Sequence, residues 1–383
     1  MKRRLLMMFL LLAMSARVEA QPPAPIDPAL FAFPGTVESP ASAVSAGLAL
    51  ADRWLGDDPY ANPAAARRGQ VTLSPSLVRV SRQDLRADNR NYDEEPAFFD
   101  GAGAAVGLPI PGDVALWFYA HQPVLRLEDF AFTRGTGTDP SVAPAVLIGQ
   151  GETREQRVGA AVSHRIGALR IGVAMEWMRR EDSYVTTQQS GAPDDGDRRA
   201  DFSGEGAGYQ VGARFDTRDS GVGQLTIGLA ARYLPALSLE GSQESNLLSG
   251  SSSTAVAVEQ ETGWEGGASI RWAASDAFRV LAAAGGRSER AWEGFAVKSG
   301  PTFQWSVAGE MHQPRTPLAL RFGFGQEQQS AVPEPRAGVV GLGVGWDMEG
   351  TVVEVGAMRR SVLRANSPTS YDDRVVASVR VSF

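Results

Sequence analysis

The last eleven residues of the sequence are Asp373-Arg374-Val375-Val376-Ala377-Ser378-Val379-Arg380-Val381-Ser382-Phe383. Val375, Ala377, Val379, Val381 and Phe383 share one side of a two-residue repeat, and Arg374, Ser378, Arg380 and Ser382 share the other. Val376 is the apolar exception on the polar side. Successive side chains of a strand point to opposite faces. The stretch therefore presents one face to an apolar medium and one to a polar medium. A strand of a transmembrane barrel does this, with lipid outside, a polar lumen inside and aromatics at the water boundary. An edge strand of a soluble sandwich would show the same alternation, so the rest of the chain must decide.

Working outward, fourteen stretches read as strands: 70–82, 102–110, 113–121, 153–166, 168–180, 204–216, 223–234, 259–274, 277–289, 299–312, 316–327, 337–347, 351–363 and 373–383. A bacterial barrel has an even number of strands, each about 9–11 residues across the apolar band. Connections after even-numbered stretches are short, such as Pro111-Gly112, Gly167 and Ser275-Asp276. Those after odd-numbered stretches are mostly long, such as 83–101, 122–152, 181–203 and 235–258. Outer-membrane barrels sort their loops in this way, with short periplasmic turns and longer extracellular loops. A soluble sandwich has no reason to do so. Aromatics give a second sign. Trp264 and Trp272 lie eight residues apart on one face. At ~3.4 Å per residue and a tilt of roughly 40°, they stand about 21 Å apart along the membrane normal, close to the ~25 Å apolar band. Phe215, Trp272, Phe278, Trp346 and Phe383 fall near periplasmic ends, and Trp177, Tyr233, Trp264 and Phe303 near the opposite ends, which makes two belts. The expected fold is all-β: a 14-stranded antiparallel transmembrane β-barrel spanning 69–383.

The opposite faces carry charge. Arg170, Glu176, Gln210, Arg214, Arg232, Glu265, Arg271, Gln304, Glu310, Arg321, Glu354 and Arg380 all fall on inward positions. On the lipid face Arg or Lys would each cost about 2–4 kcal/mol at mid-membrane. Arg214, Arg232, Glu265, Arg271, Glu310 and Arg321 are the lumen candidates, and they suit ion-pair and hydrogen-bond networks better than acid–base chemistry. Fourteen strands enclose more space than their own side chains fill. The N-terminal segment 36–66 is the candidate plug. Gly341, Gly343 and Gly345 fall inward on one strand, either to admit the plug's backbone or to accommodate barrel curvature.

Composition bounds the rest. The 383 residues include no Cys, so disulfides and Cys-ligated metals are excluded. Residues 1–20 read as a secretory signal peptide: Lys2, Arg3 and Arg4, then apolar Leu5 to Met14, then Val18-Glu19-Ala20 before Gln21. Without them the net charge of −7 becomes −10, because Lys2, Arg3, Arg4 and Arg17 leave with one acid, Glu19. No basic excess remains to release phosphate counterions, which disfavours nucleic acid as a partner. No stretch approaches the length of a spanning helix, about 20 residues. Residues 21–68 form an N-terminal extension, opening on a Pro-rich leader, followed by the plug.

Within that extension, 39–66 reads SPASAVSAGLALADRWLGDDPYANPAAA, a short helix or compact coil ended by Pro59 and Pro63. A Ser/Ala/Gly-rich segment, the pair Asp57-Asp58 and then Asn62-Pro63-Ala64 before the first strand resembles the N-terminal hatch of the FadL-type long-chain fatty-acid transporters. It is also similar to the related barrels of the type IX secretion apparatus. The resemblance implies that Asp57, Asp58, Asn62 and Pro63 belong to a hatch inside a fourteen-stranded barrel. It also implies passage of hydrophobic small molecules, fatty acids or aromatic hydrocarbons, without a cofactor. The terminal Phe383 resembles the signal read by the barrel-assembly machinery of the outer membrane. Stretch 122–152, read as an extracellular loop, is rich in apolar residues, and an exposed apolar patch usually marks a binding site. Phe130, Phe132, Leu147 and Ile148 are its ligand-binding candidates, or else its own small core. Pro123 could bend or end the third strand.

The three histidines, His121, His164 and His312, form no metal-spaced pair or triad. Asp194, Asp195 and Asp197 suit a solvated loop better than an ion site. No catalytic residue, metal ligand or cofactor is expected. Expected partners are a hydrophobic ligand, outer-membrane lipid and, during biogenesis, the assembly machinery. A secretion-related barrel is the alternative function, and an enzyme is the weakest reading.

Overall fold

The computed structural model describes residues 40, 42–55, 60–65, 69–82, 98–108, 110–134, 145–189, 195–217, 223–293, 298–299, 301–313, 315–329, 336–364 and 367–383. Residues 1–20, expected to be a signal peptide, the Pro-rich stretch 21–35, Asp57, Asp58 and Asp194 lie outside these residues. Fourteen strands form the wall: β1 (Gln70–Arg82), β2 (Phe98–Leu108), β3 (Val114–Arg134), β4 (Ala145–Ile166), β5 (Leu169–Gln189), β6 (Gly196–Asp216), β7 (Gln224–Leu234), β10 (Gly263–Ser275), β11 (Phe278–Arg287), β14 (Thr302–His312), β15 (Leu318–Gln329), β16 (Arg336–Met348), β17 (Thr351–Arg364) and β18 (Ser367–Ser382). Each pairs antiparallel with the next, and β18 returns to β1 in the register Gln70↔Ser382 to Arg82↔Ser370. The terminal stretch is the strand that closes the ring.

The faces follow the alternation. Leu73, Val158, Trp177, Trp264, Ile270, Trp272, Phe303, Leu342, Trp346, Val379 and Phe383 are exposed on the outside, although they are large and apolar. Lipid is the medium that makes such a surface stable. Val376, the exception in the sequence, turns inward and is fully buried against Ala43, Ala46, Ala49 and Leu50 of the N-terminal segment. Between β16 and β17 the turn residues Glu349 and Gly350 both have positive φ (32° and 93°), the twist that a two-residue hairpin requires.

Two stretches differ from the sequence reading. Residues 122–152 are mostly strand rather than loop: β3 runs on to Arg134 and β4 begins at Ala145, with Phe132 opposite Leu147. Residues 235–258 form a hairpin, β8 (Leu237–Leu247) and β9 (Gly250–Gln260), that pairs with the upper part of β6. Two short strands, β12 (Arg290–Glu293) and β13 (Lys298–Ser299), pair beside β9. These strands raise a collar above the membrane wall. Its inner face is a small core of Tyr184, Ala200, Phe202, Leu237, Leu239 and Val258. The collar escaped the sequence reading because Ser, Thr, Gln and Glu occupy both faces of 238–254. With no lipid there, no apolar stripe is required.

Candidate functional site in the lumen

The described residues of the N-terminal segment lie inside the barrel, buried against its wall. Ser42 caps a single helical turn, α1 (Ala43–Gly47), by accepting the Ser45 N–H at 3.2 Å. The small residues let this turn lie directly on the wall. A side chain at Gly356 of β17 would overlap the Ala43 carbonyl oxygen, and one at Gly343 of β16 would press on Gly47 Cα. Gly341 likewise abuts the Ala46 carbonyl, whereas Gly345 faces the Arg321 guanidinium rather than the plug. The Ala43 N–H donates to Ser378 Oγ at 2.8 Å. Further on, Leu48, Ala51 and Leu55 pack against Leu281 and Ala308. Trp54 N–H donates to Ser269 Oγ at 3.0 Å, and Arg53 pairs with Glu265.

The second half of the segment rests on the opposite wall. Pro63–Ala65 is one 3-10 turn, and Pro63 lies where a Gly172 side chain would be. The Asn62 amide donates to the Trp54 carbonyl at 2.7 Å and to the wall carbonyls of Leu229 and Ala213 at 3.2 and 3.3 Å, while its oxygen accepts the Ala64 N–H at 2.9 Å. Gln210 donates to the Ala61 carbonyl and Arg232 to the Tyr60 carbonyl. Asn62 and Pro63, expected in a hatch, are thus both buried. Each of these plug carbonyls leaves water and finds a donor, as burial demands.

Beneath α1 a chain of ion pairs crosses the wall. Glu310 accepts from Arg279 at 2.7 Å and from Arg321 Nε at 2.6 Å, and lies 2.7 Å from His312. Arg321 reaches on to Glu354 at 2.9 Å, and Glu354 to Arg380 at 3.1 Å. Of the lumen candidates, Arg232, Glu265, Glu310 and Arg321 join such networks. Arg214 pairs with Asp216 on its own strand at 3.0 Å, and Arg271 lines the space below. That space is a cavity of about 540 Å³, bounded by Asp52, Arg271, Arg279, Glu310, Arg321, Asp347, Glu354 and Arg380. A vestibule lined by charged side chains is a poor path for an apolar molecule.

The wall itself is irregular at one level. The row Ser74, Gly103, His121 and Arg157 crosses β1 to β4. Just above it, Ala102 is extra in β2 opposite the Ser74–Pro75 step, and Gln122-Pro123 form a bulge in β3. Beyond Gly103↔His121, the described β2 residues pair only with β1 and the described upper β3 residues only with β4. The seam between β2 and β3 parts there. His121 lies seven residues from Val114. At ~3.4 Å per residue and a tilt of ~40°, this is about 18 Å above the periplasmic turn, within an apolar band ~25 Å tall. Inside the parting lie Tyr60, Trp117, Tyr119 and His121. The sequence reading missed this group. Its signal was the alternation Trp117, Tyr119, His121 just before Pro123. Phe130, Phe132, Leu147 and Ile148 occupy paired positions on the upper β3–β4 hairpin, and their side chains lie outside the described residues.

No protein-family model and no curated protein matches the sequence. Solved structures do. A Pseudomonas aeruginosa FadL homologue aligns with TM-score 0.65 at 12% identity, over 91% of this chain and 100% of its own. The CymD monoaromatic hydrocarbon channel aligns with TM-score 0.61 at 12% identity, over 92% and 99% of the two chains. The toluene transporter TbuX of Ralstonia pickettii gives 0.61 at 14%, over 91% and 99%. With its closed wall of fourteen strands, its apolar exterior and these alignments over nearly the whole chain, the protein has the fold of the FadL-type outer-membrane channels.

Proposed function

We propose that the protein passes hydrophobic small molecules, fatty acids or aromatic hydrocarbons, across the outer membrane and releases them sideways through the parting between β2 and β3. The parting carries this reading. Unpaired backbone groups facing hydrocarbon cost several kcal/mol each, so an open seam at membrane depth is retained only for a use. Two further observations agree. The described plug residues are buried and hydrogen-bonded to the wall, which supports a plugged axis, and the charged vestibule below them disfavours an apolar solute. The channels of like fold include ones named for monoaromatic hydrocarbons and toluene. Residues 1–20 act as the export signal and 21–68 as the extension and hatch. Phe130, Phe132, Leu147 and Ile148 would be the first to meet the incoming ligand, a role that their backbone positions on the upper β3–β4 hairpin allow. No observation favours the secretion role.

The test is uptake of labelled octanoate and toluene by cells whose outer membrane holds this protein as their one hydrophobic channel. The reading expects uptake well above that of cells without it, with no gain for a hydrophilic solute of similar size. Equal uptake with and without the protein would overturn it.

A further inference from the structure

We infer that Arg232 is a positioning residue that couples the plug to the parting between β2 and β3. When Arg53 of the plug leaves Glu265, Arg232 moves to Glu265 and lets go of Tyr60 and Glu176 beside the seam. This rests on the lateral-release reading above and adds the device that opens the exit. One buried guanidinium holds three parts of the molecule. Its Nη2 donates to the Tyr60 carbonyl of the plug. Its Nε lies 3.0 Å from Glu176 on β5, and its Nη1 lies 3.7 Å from Glu265 on β10. Each partner is tied further. Glu265 pairs with Arg53 and, at 3.0 Å, with Arg287. Glu176 accepts from the Tyr119 hydroxyl at 2.8 Å and lies 3.9 Å from His121 Nε2. Tyr119 and His121 are the rings that Tyr60 rests on. The sequence makes room for this reach. Gly159 of β4 stands between Tyr119 and Glu176, and a side chain there would overlap the Tyr119 ring.

The distances define two arrangements. Arg53 has a second place to go, because its Nη1 lies 3.4 Å from Gln304 Oε1 and its guanidinium 4.8 Å from the centre of the Trp54 ring. Once Arg53 shifts there, Glu265 keeps Arg287 as its close cation. A buried carboxylate that loses a partner is strongly unfavourable, and Arg232 already stands at 3.7 Å. Closing that gap draws Nη2 off the Tyr60 carbonyl and Nε off Glu176. Glu176 then turns to His121 Nε2, and the stack of that ring on Tyr60 is broken. Coupling requires a two-state element that one site biases and the other reads. Arg232 is such an element, biased at Glu265 and read at Tyr60.

The experiment uses the full-length barrel purified in detergent with one reporter thiol, Ala61→Cys, next to Tyr60. The chain has no other cysteine, and Ala61 is 7% exposed, so a maleimide should label the reporter slowly. Adding Arg53→Met should speed labelling at least tenfold. Adding Glu265→Gln instead removes the destination of Arg232 and should leave the rate slow. The two together should return the rate to that of the reporter alone. A plug that is merely loosened would give the opposite pattern, because both substitutions break the same plug–wall pair and both would speed labelling. Arg53→Lys keeps the charge and should stay slow, and Arg53→Gln serves the same comparison if the methionine variant fails to fold. Labelling no faster with Arg53→Met or Arg53→Gln, faster labelling with Glu265→Gln, or a double variant as fast as Arg53→Met would each overturn the inference. If cells take up octanoate and toluene while the rates break this pattern, only the coupling falls. If the rates follow it but the cells take up neither solute, the coupling stands and the transport reading falls.

Discussion

Two sides of the same wall hold the plug in different ways. On the β11–β18 side the wall ladder is continuous, the plug backbone lies directly on glycine, and an unbroken chain of ion pairs runs from Arg279 to Arg380. On the β1–β4 side two neighbouring strands, β2 and β3, bulge at one level, and the plug touches the wall through the aromatic rings of Tyr60, Tyr119 and His121. Backbone packed on glycine has no second arrangement. Rings held only by stacking and edge contacts can part without breaking a backbone hydrogen bond. On the lateral-release reading the first side is an anchor and the second a gate.

The largest effect should come from spoiling the anchor. Gly356→Leu places a side chain where the Ala43 carbonyl lies, so α1 cannot seat. The expected result in planar bilayers is a strongly raised ion conductance, approaching that of a barrel lacking residues 42–65. Conductance as low as that of the unsubstituted protein would mean that the glycine contact is dispensable. Next, Arg321→Met leaves Glu310 and Glu354 without their shared partner in a buried setting. Loss of one member of a buried pair costs about 3–5 kcal/mol, which urea unfolding of the folded barrel should reveal. A smaller change acts on the gate alone. Deleting Gln122 removes one of the two bulge residues and lets β3 run straight. Uptake of hydrophobic solutes should fall severalfold with stability held or improved, and undiminished uptake would separate the bulge from the exit.

The smallest effect belongs to the collar, far from both. Burial alone would raise the Asp201 carboxyl, but hydrogen bonds from Arg199 and Ser183 outweigh it and hold the group below its ordinary range. Its contribution is therefore present above the unfolded carboxylate pKa and is lost as pH falls through the lowered one. Because the Arg199–Asp201 pair is largely exposed, Asp201→Asn should leave uptake unchanged and flatten the acid limb of stability only slightly.

The anchor and gate were unequally legible in the sequence. The wall could be read because lipid outside and water inside impose a strict two-residue alternation, as in 373–383. Inward charges such as Glu310 and Arg321 followed from the same parity. Gly341 and Gly343 were visible as inward glycines, but their partner was not, since a backbone contact leaves no complementary side chain to read. The gate was harder. A bulge inserts one residue and erases the alternation that would announce it, so Gln122-Pro123 read as the end of a strand and the start of a loop. Trp117, Tyr119 and His121 sit on an inward face beside the outward Leu116 and Phe118, which left that strand apolar on both sides.

The central claim, that apolar molecules leave between β2 and β3, can be tested by fastening that seam. The chain has no cysteine of its own, so Gly101→Cys and Val124→Cys would supply its only two thiols. A bis-methanethiosulfonate cross-linker would then bridge β2 to β3 above the last paired row, and a reductant would release it. The account predicts that bridging stops uptake of toluene and octanoate and that reduction restores it, with neither single-cysteine protein affected. Full uptake through a bridged seam would contradict it and place the exit elsewhere.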